Sequence, residues 1–198
     1  MKKVILGGIV GGIILYFWGF VSWVVLPWHE MTVEKFRDEE LVSQVIKENA
    51  PKDGVYFIPS MIDTSHLSPE QKEEAQNKQK KAMEKGPFIY AQIKTEGLHS
   101  MTITGHILGL LTYIVGAFLT SALLANAHDL RYLGRLFFVI VVGLLIGVMA
   151  GIPNVLWFGA PFKYYTVVAI ADSLISWCLA GLALAAIVKP CHQHERML

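Results

Sequence analysis

The side chains best suited to chemistry are few. Asp172 is the one acid in the apolar stretch Tyr164–Val188. A carboxylate at that depth costs several kcal/mol unless it is paired, so it must turn toward neighbouring helices. It lies about 12 Å along a helix from Tyr164, at the ordinary helical rise. Ser176 follows one turn later on the same face. His106 and Asn154 sit in two further apolar stretches, at the same outer third of the membrane. These spacings predict an intramembrane polar cluster of His106, Asn154, Asp172 and Ser176, with Asp172 touching His106 or Asn154. Such a cluster acts either as a clasp that fixes helix register or as a polar site for a proton, an ion or a small substrate.

A second pattern brackets a long polar segment: His29-Glu30-Met31 before it and His99-Ser100-Met101 after it. Imidazole and thioether together suit Cu(I), so His29, Met31, His99 and Met101 form a candidate copper site at one membrane face. Other chemistries lack their residues. Only His106 is an intramembrane histidine, whereas a b-type haem needs facing histidines. Cys178 falls in an apolar stretch and Cys191 beyond it, so there is no extracytoplasmic thiol pair. Neither a glycine-rich phosphate loop nor a nucleophile elbow occurs. No catalytic residue is assigned and no cofactor is called for, copper being the alternative.

The elements that must carry these residues follow from where charge is missing. The chain has 198 residues, 54% hydrophobic and 17% charged, with a net charge of +1. That charge content is low for a water-soluble domain, and the balance excludes a basic nucleic-acid binder. Val4–Leu26, Leu136–Phe158 and Ile103–Ala127 carry no acid, lysine or arginine, and Tyr164–Val188 carries only Asp172. About 20 helical residues cross a hydrocarbon core, and spanning backbone must satisfy its own hydrogen bonds. The expectation is an all-α transmembrane four-helix bundle with a small α+β extracytoplasmic insertion between helices 1 and 2. Residues 1–28 form helix 1, an uncleaved signal anchor; residues 29–101 form the insertion; residues 102–198 form helices 2–4 and a short cytoplasmic tail. Lys2, Lys3, Arg131, Arg135, Lys189 and Arg196 flank one side of the spans and Lys163 the other. By the positive-inside rule both termini are cytoplasmic and residues 29–101 extracytoplasmic. The Met-Lys-Lys start favours a bacterial plasma (inner) membrane.

Residues 30–100 hold 13 of the 16 acids and 10 of the 17 bases. Asp38 suits the N-cap of a helix reaching about Asn49, and Ser68-Pro69-Glu70-Gln71 is a capping box with Pro at the first helical position. Val55–Ile58 and Phe88–Lys94 read as strands. So small a unit has a thin core.

Within the membrane, close backbone approach drives helix association. Four-residue spacings of Gly7 and Gly11, of Gly105 and Gly109, and of Gly143, Gly147 and Gly151 therefore mark helix-packing faces. Pro153 is expected to kink or stop the third span, leaving an aromatic corner at the outer boundary. With no catalytic constellation, the sequence points to an accessory or assembly subunit of a larger membrane complex. Its partners are the lipid bilayer and other membrane-protein subunits or further copies of itself, not nucleic acid. The alternatives are a small oligomeric transporter or channel built around Asp172, and an extracytoplasmic copper-handling protein.

Overall fold

The computed structural model describes residues 1–98 and 102–189 and divides the chain into two compact units. The first unit combines Met1–Glu34 with the last three helices; the second begins at Lys35. Residues 29–34, assigned from sequence to the polar insertion, thus belong with the apolar helices.

Four helical segments of the first unit are long and apolar enough to cross a membrane: Lys2–Val25, Ile103–Asn126, Tyr132–Phe158 and Phe162–Ile187. The chain is accordingly compatible with a multi-pass membrane protein. Helix α1 (Lys2–Phe20) continues into a π-helical turn at Val21–Val25, and Pro27–Thr32 then forms a 3-10 turn. In the second unit lie α2 (Glu39–Asn49), β1 (Gly54–Ile58), α3 (Pro69–Lys85) and β2 (Ile89–Ile93). The first unit resumes with α4 (Ile103–Asn126) and α5 (Tyr132–Phe158). A second π-helical turn, Phe162–Thr166, leads into α6 (Val167–Ile187).

The spatial neighbours run α4–α1–α6–α5, with α4 and α5 meeting at only a few positions. This differs from a closed ring, and the glycines explain the order. A Cβ placed on Gly12 would lie 2.5 Å from the Ile114 Cα, so α1 and α4 can approach this closely only without a side chain there. Gly11 faces Leu184 of α6 and Ala117 of α4, while Gly7 faces Ser121 and Val188. On α5, Gly143 lies against Trp177, Gly147 against Ile170 and Ser173, and Gly151 against Thr166. The small residues of α1 thus serve two neighbours, and those of α5 serve α6. Gly109 makes only ordinary contact with the Tyr16 ring. Gly105 is exposed in the first turn of α4, its amide donating to the N-cap Thr102 Oγ1 at 3.2 Å. Leu15, Ala117, Leu124, Val139, Trp177 and Leu184 belong to the core between these helices.

Pro153 does not end α5. The helix runs to Phe158 and stops at Gly159, whose φ of 66° is left-handed backbone that glycine adopts without a steric penalty. Asn154 Nδ2 donates to the Ala150 carbonyl at 2.6 Å, next to the Met149 carbonyl that proline leaves without its usual donor. At its other end α5 secures the C-terminus of α6. Arg135 Nε donates to the Ala185 carbonyl at 2.8 Å and Tyr132 Oη to the Leu182 carbonyl at 3.2 Å. A cation beside the last carbonyls also suits the helix dipole.

In the second unit Asp38 Oδ1 accepts from the Leu41 amide at 2.9 Å, and both bonds of the Ser68–Gln71 capping box form. Strands β1 and β2 pair antiparallel with Tyr56 opposite Ala91, and Phe57 meets Tyr90 edge to face. Among the described residues of this unit only Ala50 is buried, so its hydrophobic contribution is small. A polar lock closes the strand pair instead. Asp53 accepts from Lys94 Nζ and from the amide and hydroxyl of Thr95, each at 2.9 Å. These donors lower the Asp53 pKa to about 2, and the Asp53 carboxylate in turn raises that of Lys94.

Two predictions follow from this packing. Gly143→Leu forces a side chain into Trp177 and should destabilise the chain in detergent by about 1–3 kcal/mol, the usual range for overpacking. Gly105→Ala should leave the thermal midpoint unchanged or raise it; equal loss in both variants would contradict the assignment of packing faces. The Asp53 lock contributes fully above the ordinary aspartate pKa of about 3.9. It is lost as pH falls toward about 2. An NMR titration should show the Thr95 amide shifting over that interval, and Asp53→Asn should abolish the shift.

Candidate functional site

The polar atoms of the membrane unit gather where α1 and α6 meet near the start of α6. Asp172 is on α6, one and a half turns after the π-helical turn. Across from it α1 presents Trp18 and Ser22, four residues apart and so on one face. Trp18 Nε1 donates to Asp172 Oδ1 at 2.6 Å, and Ser22 Oγ donates to the same oxygen at 2.8 Å. Ser22 is the second residue of the π-helical turn, a wider coil often found at functional sites. Pro27, whose fixed φ suits the start of a helical turn, begins the 3-10 turn that brings His29 back over the end of α1. His29 Nε2 then lies 2.9 Å from Ser22 Oγ and 3.7 Å from Asp172 Oδ2. The longer distance is an electrostatic contact rather than a hydrogen bond.

Aromatic rings enclose the group. Trp23 stacks on the His29 imidazole with centroids 3.9 Å apart and planes 6° from parallel. Trp28 meets both His29 and Trp18 edge on, and its Nε1 donates to Ser22 Oγ and to the Ser22 carbonyl, both at 3.1 Å. Thr32 Oγ1 donates to the His29 carbonyl at 2.7 Å and fixes the turn. Ser22 is fully buried and His29 only 8% exposed.

Hydrogen-bond capacity determines the proton positions. A serine hydroxyl offers one proton and two acceptor sites. Ser22 gives its proton to Asp172 and accepts from Trp28, leaving one acceptor site for His29. The imidazole therefore carries hydrogen on Nε2 whenever Asp172 is ionised. Serine, histidine and aspartate are together here, yet they are not arranged for nucleophilic catalysis. In a hydrolytic triad the carboxylate bonds the ring nitrogen remote from the serine. Here it bonds the serine itself, and that hydroxyl is closed off from any substrate carbonyl.

The residues singled out in sequence are distributed differently from expectation. Among the described residues no hydrogen bond joins Asp172 to His106 or Asn154. Tyr16, on the opposite face of α1 from Trp18, shares a 2.9 Å hydrogen bond with His106 Nδ1. Asn154 bonds within α5, and Ser176 Oγ donates to the Ser173 carbonyl at 2.8 Å. The cross-helix serine is Ser173, whose hydroxyl donates to the Gly143 carbonyl at 2.8 Å. Of the proposed copper ligands, His29 is turned inward onto Ser22, while Met31 is 58% exposed. His99 and Met101 lie outside the described residues. Among the described residues there is no group of three or more His, Cys, Asp or Glu arranged to hold a metal ion.

Trp18, Ser22 and Trp28 were not anticipated. Trp18 and Ser22 share a helical face, and an intramembrane acid needs donors; those two facts together were the available signal.

No family model, curated protein or solved structure matches this chain. The functional reading therefore rests on the geometry of the cluster.

Asp172→Asn retains an acceptor oxygen for Trp18 and Ser22, and its thermal midpoint in detergent should stay close to that of the native chain. Asp172→Leu leaves two donors without an acceptor, a loss of about 1–3 kcal/mol per buried group. If the leucine variant melted with the native chain, the latch between α1 and α6 would have no energetic weight.

Proposed function

We infer that this chain is a non-catalytic accessory or assembly subunit of a larger membrane complex. It resides in a bacterial plasma membrane with both termini cytoplasmic and the Lys35 unit extracytoplasmic. The observation that supports this reading is the closure of the Asp172 cluster. Trp18 and Ser22 occupy Oδ1 and His29 stands against Oδ2. The group thus ties α1 to α6.

The transporter alternative needs a polar route onward, and the inner portions of the spans offer little. No acid, lysine, arginine or histidine occurs in Val4–Leu26, Ile107–Ala127, Leu136–Phe158 or Ser173–Val188. Packing there is close, with Gly7 against Ser121 and Val188 and Gly11 against Leu184. An outer-half latch above a tightly packed inner half suits a helical subunit whose role is to be held in one shape.

Solubilisation of native membranes in mild detergent, followed by affinity capture and mass spectrometry, should recover a second membrane protein at constant stoichiometry. Recovery of the chain alone, together with pH-driven or substrate-driven flux in liposomes, would replace this reading with the transporter.

A further inference from the structure

We propose that the Ser22 hydroxyl is a proton relay between His29, at the outer end of α1, and the intramembrane carboxylate of Asp172. The two steps of the relay have hydrogen-bond length: 2.9 Å from His29 Nε2 to Ser22 Oγ and 2.8 Å from Ser22 Oγ to Asp172 Oδ1. The step is balanced in protons and charge. Beginning from an imidazolium and a carboxylate, His29 passes its Nε2 proton to Ser22 Oγ while Ser22 passes its own proton to Asp172 Oδ1. The products are a neutral imidazole with hydrogen on Nδ1 and a neutral carboxylic acid. Serine begins and ends with one proton.

Both states satisfy the buried hydroxyl. Before transfer Ser22 donates to Asp172 and accepts from His29 and Trp28; afterwards it donates to His29 and accepts from Asp172 and Trp28. Trp28 Nε1 keeps its bond in either direction, and Trp18 Nε1 stays on Asp172 Oδ1. Reversal therefore strands none of the polar groups in this network, the condition under which a buried group is expensive. The Trp23 ring stacked on the imidazole holds its plane, and the π-helical turn holds the hydroxyl between the two groups. The charges around the relay are sparse. Glu30, on the same 3-10 turn, is exposed, and Lys163 lies 5.4 Å over the Tyr164 ring. Tyr164 and Tyr165 are partly exposed at the outer end of α6. Tyr113 of α4 is within electrostatic reach of Asp172. Residues Leu136–Phe158 of α5 contribute no acid or base. Tyr113 also meets the Tyr16 ring edge to face, and Tyr16 shares its hydrogen bond with His106, so a second base lies on the α4 side. Of these groups only His29 is hydrogen-bonded to the Ser22 hydroxyl that bonds Asp172, and the relay therefore exchanges protons at the His29 end. The cluster is a proton-binding site open to the outer compartment, a property beyond the latch and independent of any protein partner.

The test uses the full chain in lipid nanodiscs, subjected to an acid jump and followed by time-resolved infrared absorption of protonated carboxyl groups. A carboxylic acid band should develop that is missing in Asp172→Asn. Its rise should slow by roughly 10-fold or more in Ser22→Ala, the lower end of what a positioned proton-transfer group provides. Ser22→Thr, which keeps a hydroxyl, should restore the native rate, and His29→Gln should slow it as alanine does. Circular dichroism identifies variants that retain their helices; if Ser22→Ala does not, His29→Gln carries the same comparison. The absence of any Asp172-dependent band on acidification would overturn the proposal. So would a folded Ser22→Ala or His29→Gln chain that gains the band as fast as the native protein.

Discussion

A carboxylate within the apolar length of a helix must find its donors in the same membrane, because water is not there to supply them. Asp172 imposes that requirement, and the end of α1 and the start of α6 are arranged to meet it. Trp18 and Ser22 must share one face of α1, so α1 must lie beside α6. The chain after Val25 must fold back so that His29 reaches the same oxygens, which is why residues 27–34 belong to the membrane unit. The wider turn at Val21–Val25 places the Ser22 hydroxyl at the centre, where it serves three partners at once. At the other end of α6, Arg135 and Tyr132 of α5 bind the last carbonyls. Helix α6 is held by α1 at its start and by α5 at its finish, which accounts for its central position.

Between these polar ends the contacts are steric. The glycines of α1 let two helices approach the same turns from different sides, and those of α5 make room for Trp177 and Ile170 of α6 and for Thr166 of the turn before it. The outward faces are different in character. Ile9, Ile13 and Phe17 on α1, and Leu133, Phe137 and Leu145 on α5, are exposed, as lipid tails allow. Small residues at the helix contacts make room for buried side chains such as Trp177 and Leu184, while these bulky ones face outward. The second unit shows the reverse economy: with Ala50 as its buried residue, it depends on caps, strand pairing and the Asp53 lock.

The features legible in sequence were those carried by composition or short-range pattern. Charge-free runs located the four spans, and side chains at fixed offsets located the caps at Asp38 and Ser68. Asp172 stood out because an acid is rare in such a run. Its partners were less visible because they depend on which helices become neighbours. His106 and Asn154 were matched to Asp172 by depth, yet depth does not specify azimuth: His106 bonds Tyr16 on the other face of α1, and Asn154 bonds back into its own helix. Ser22 sits in Val21-Ser22-Trp23-Val24-Val25, where one hydroxyl in an apolar run gives little warning of a π-helical turn. The Gly105–Gly109 spacing has the form of a packing motif, but Gly105 falls at a helix start, where the cap rather than a neighbouring helix determines its surroundings. Pro153 likewise suggested a break, and the chain continued to the next residue able to adopt left-handed backbone.

The latch also bears on the order in which the chain enters the bilayer. Trp18 and Ser22 are synthesised early, and the oxygen they bind belongs to a residue 150 or more positions later. For most of synthesis α1 must therefore reside in lipid with these donors lacking their final acceptor. Helix α6 follows the other three and is the one of the four spans that carries an acid, which opposes its entry into lipid. By then α1 already displays an indole and a hydroxyl on one face. Helix α6 is received by a site built ahead of it, and burying its acid is coupled to docking against α1.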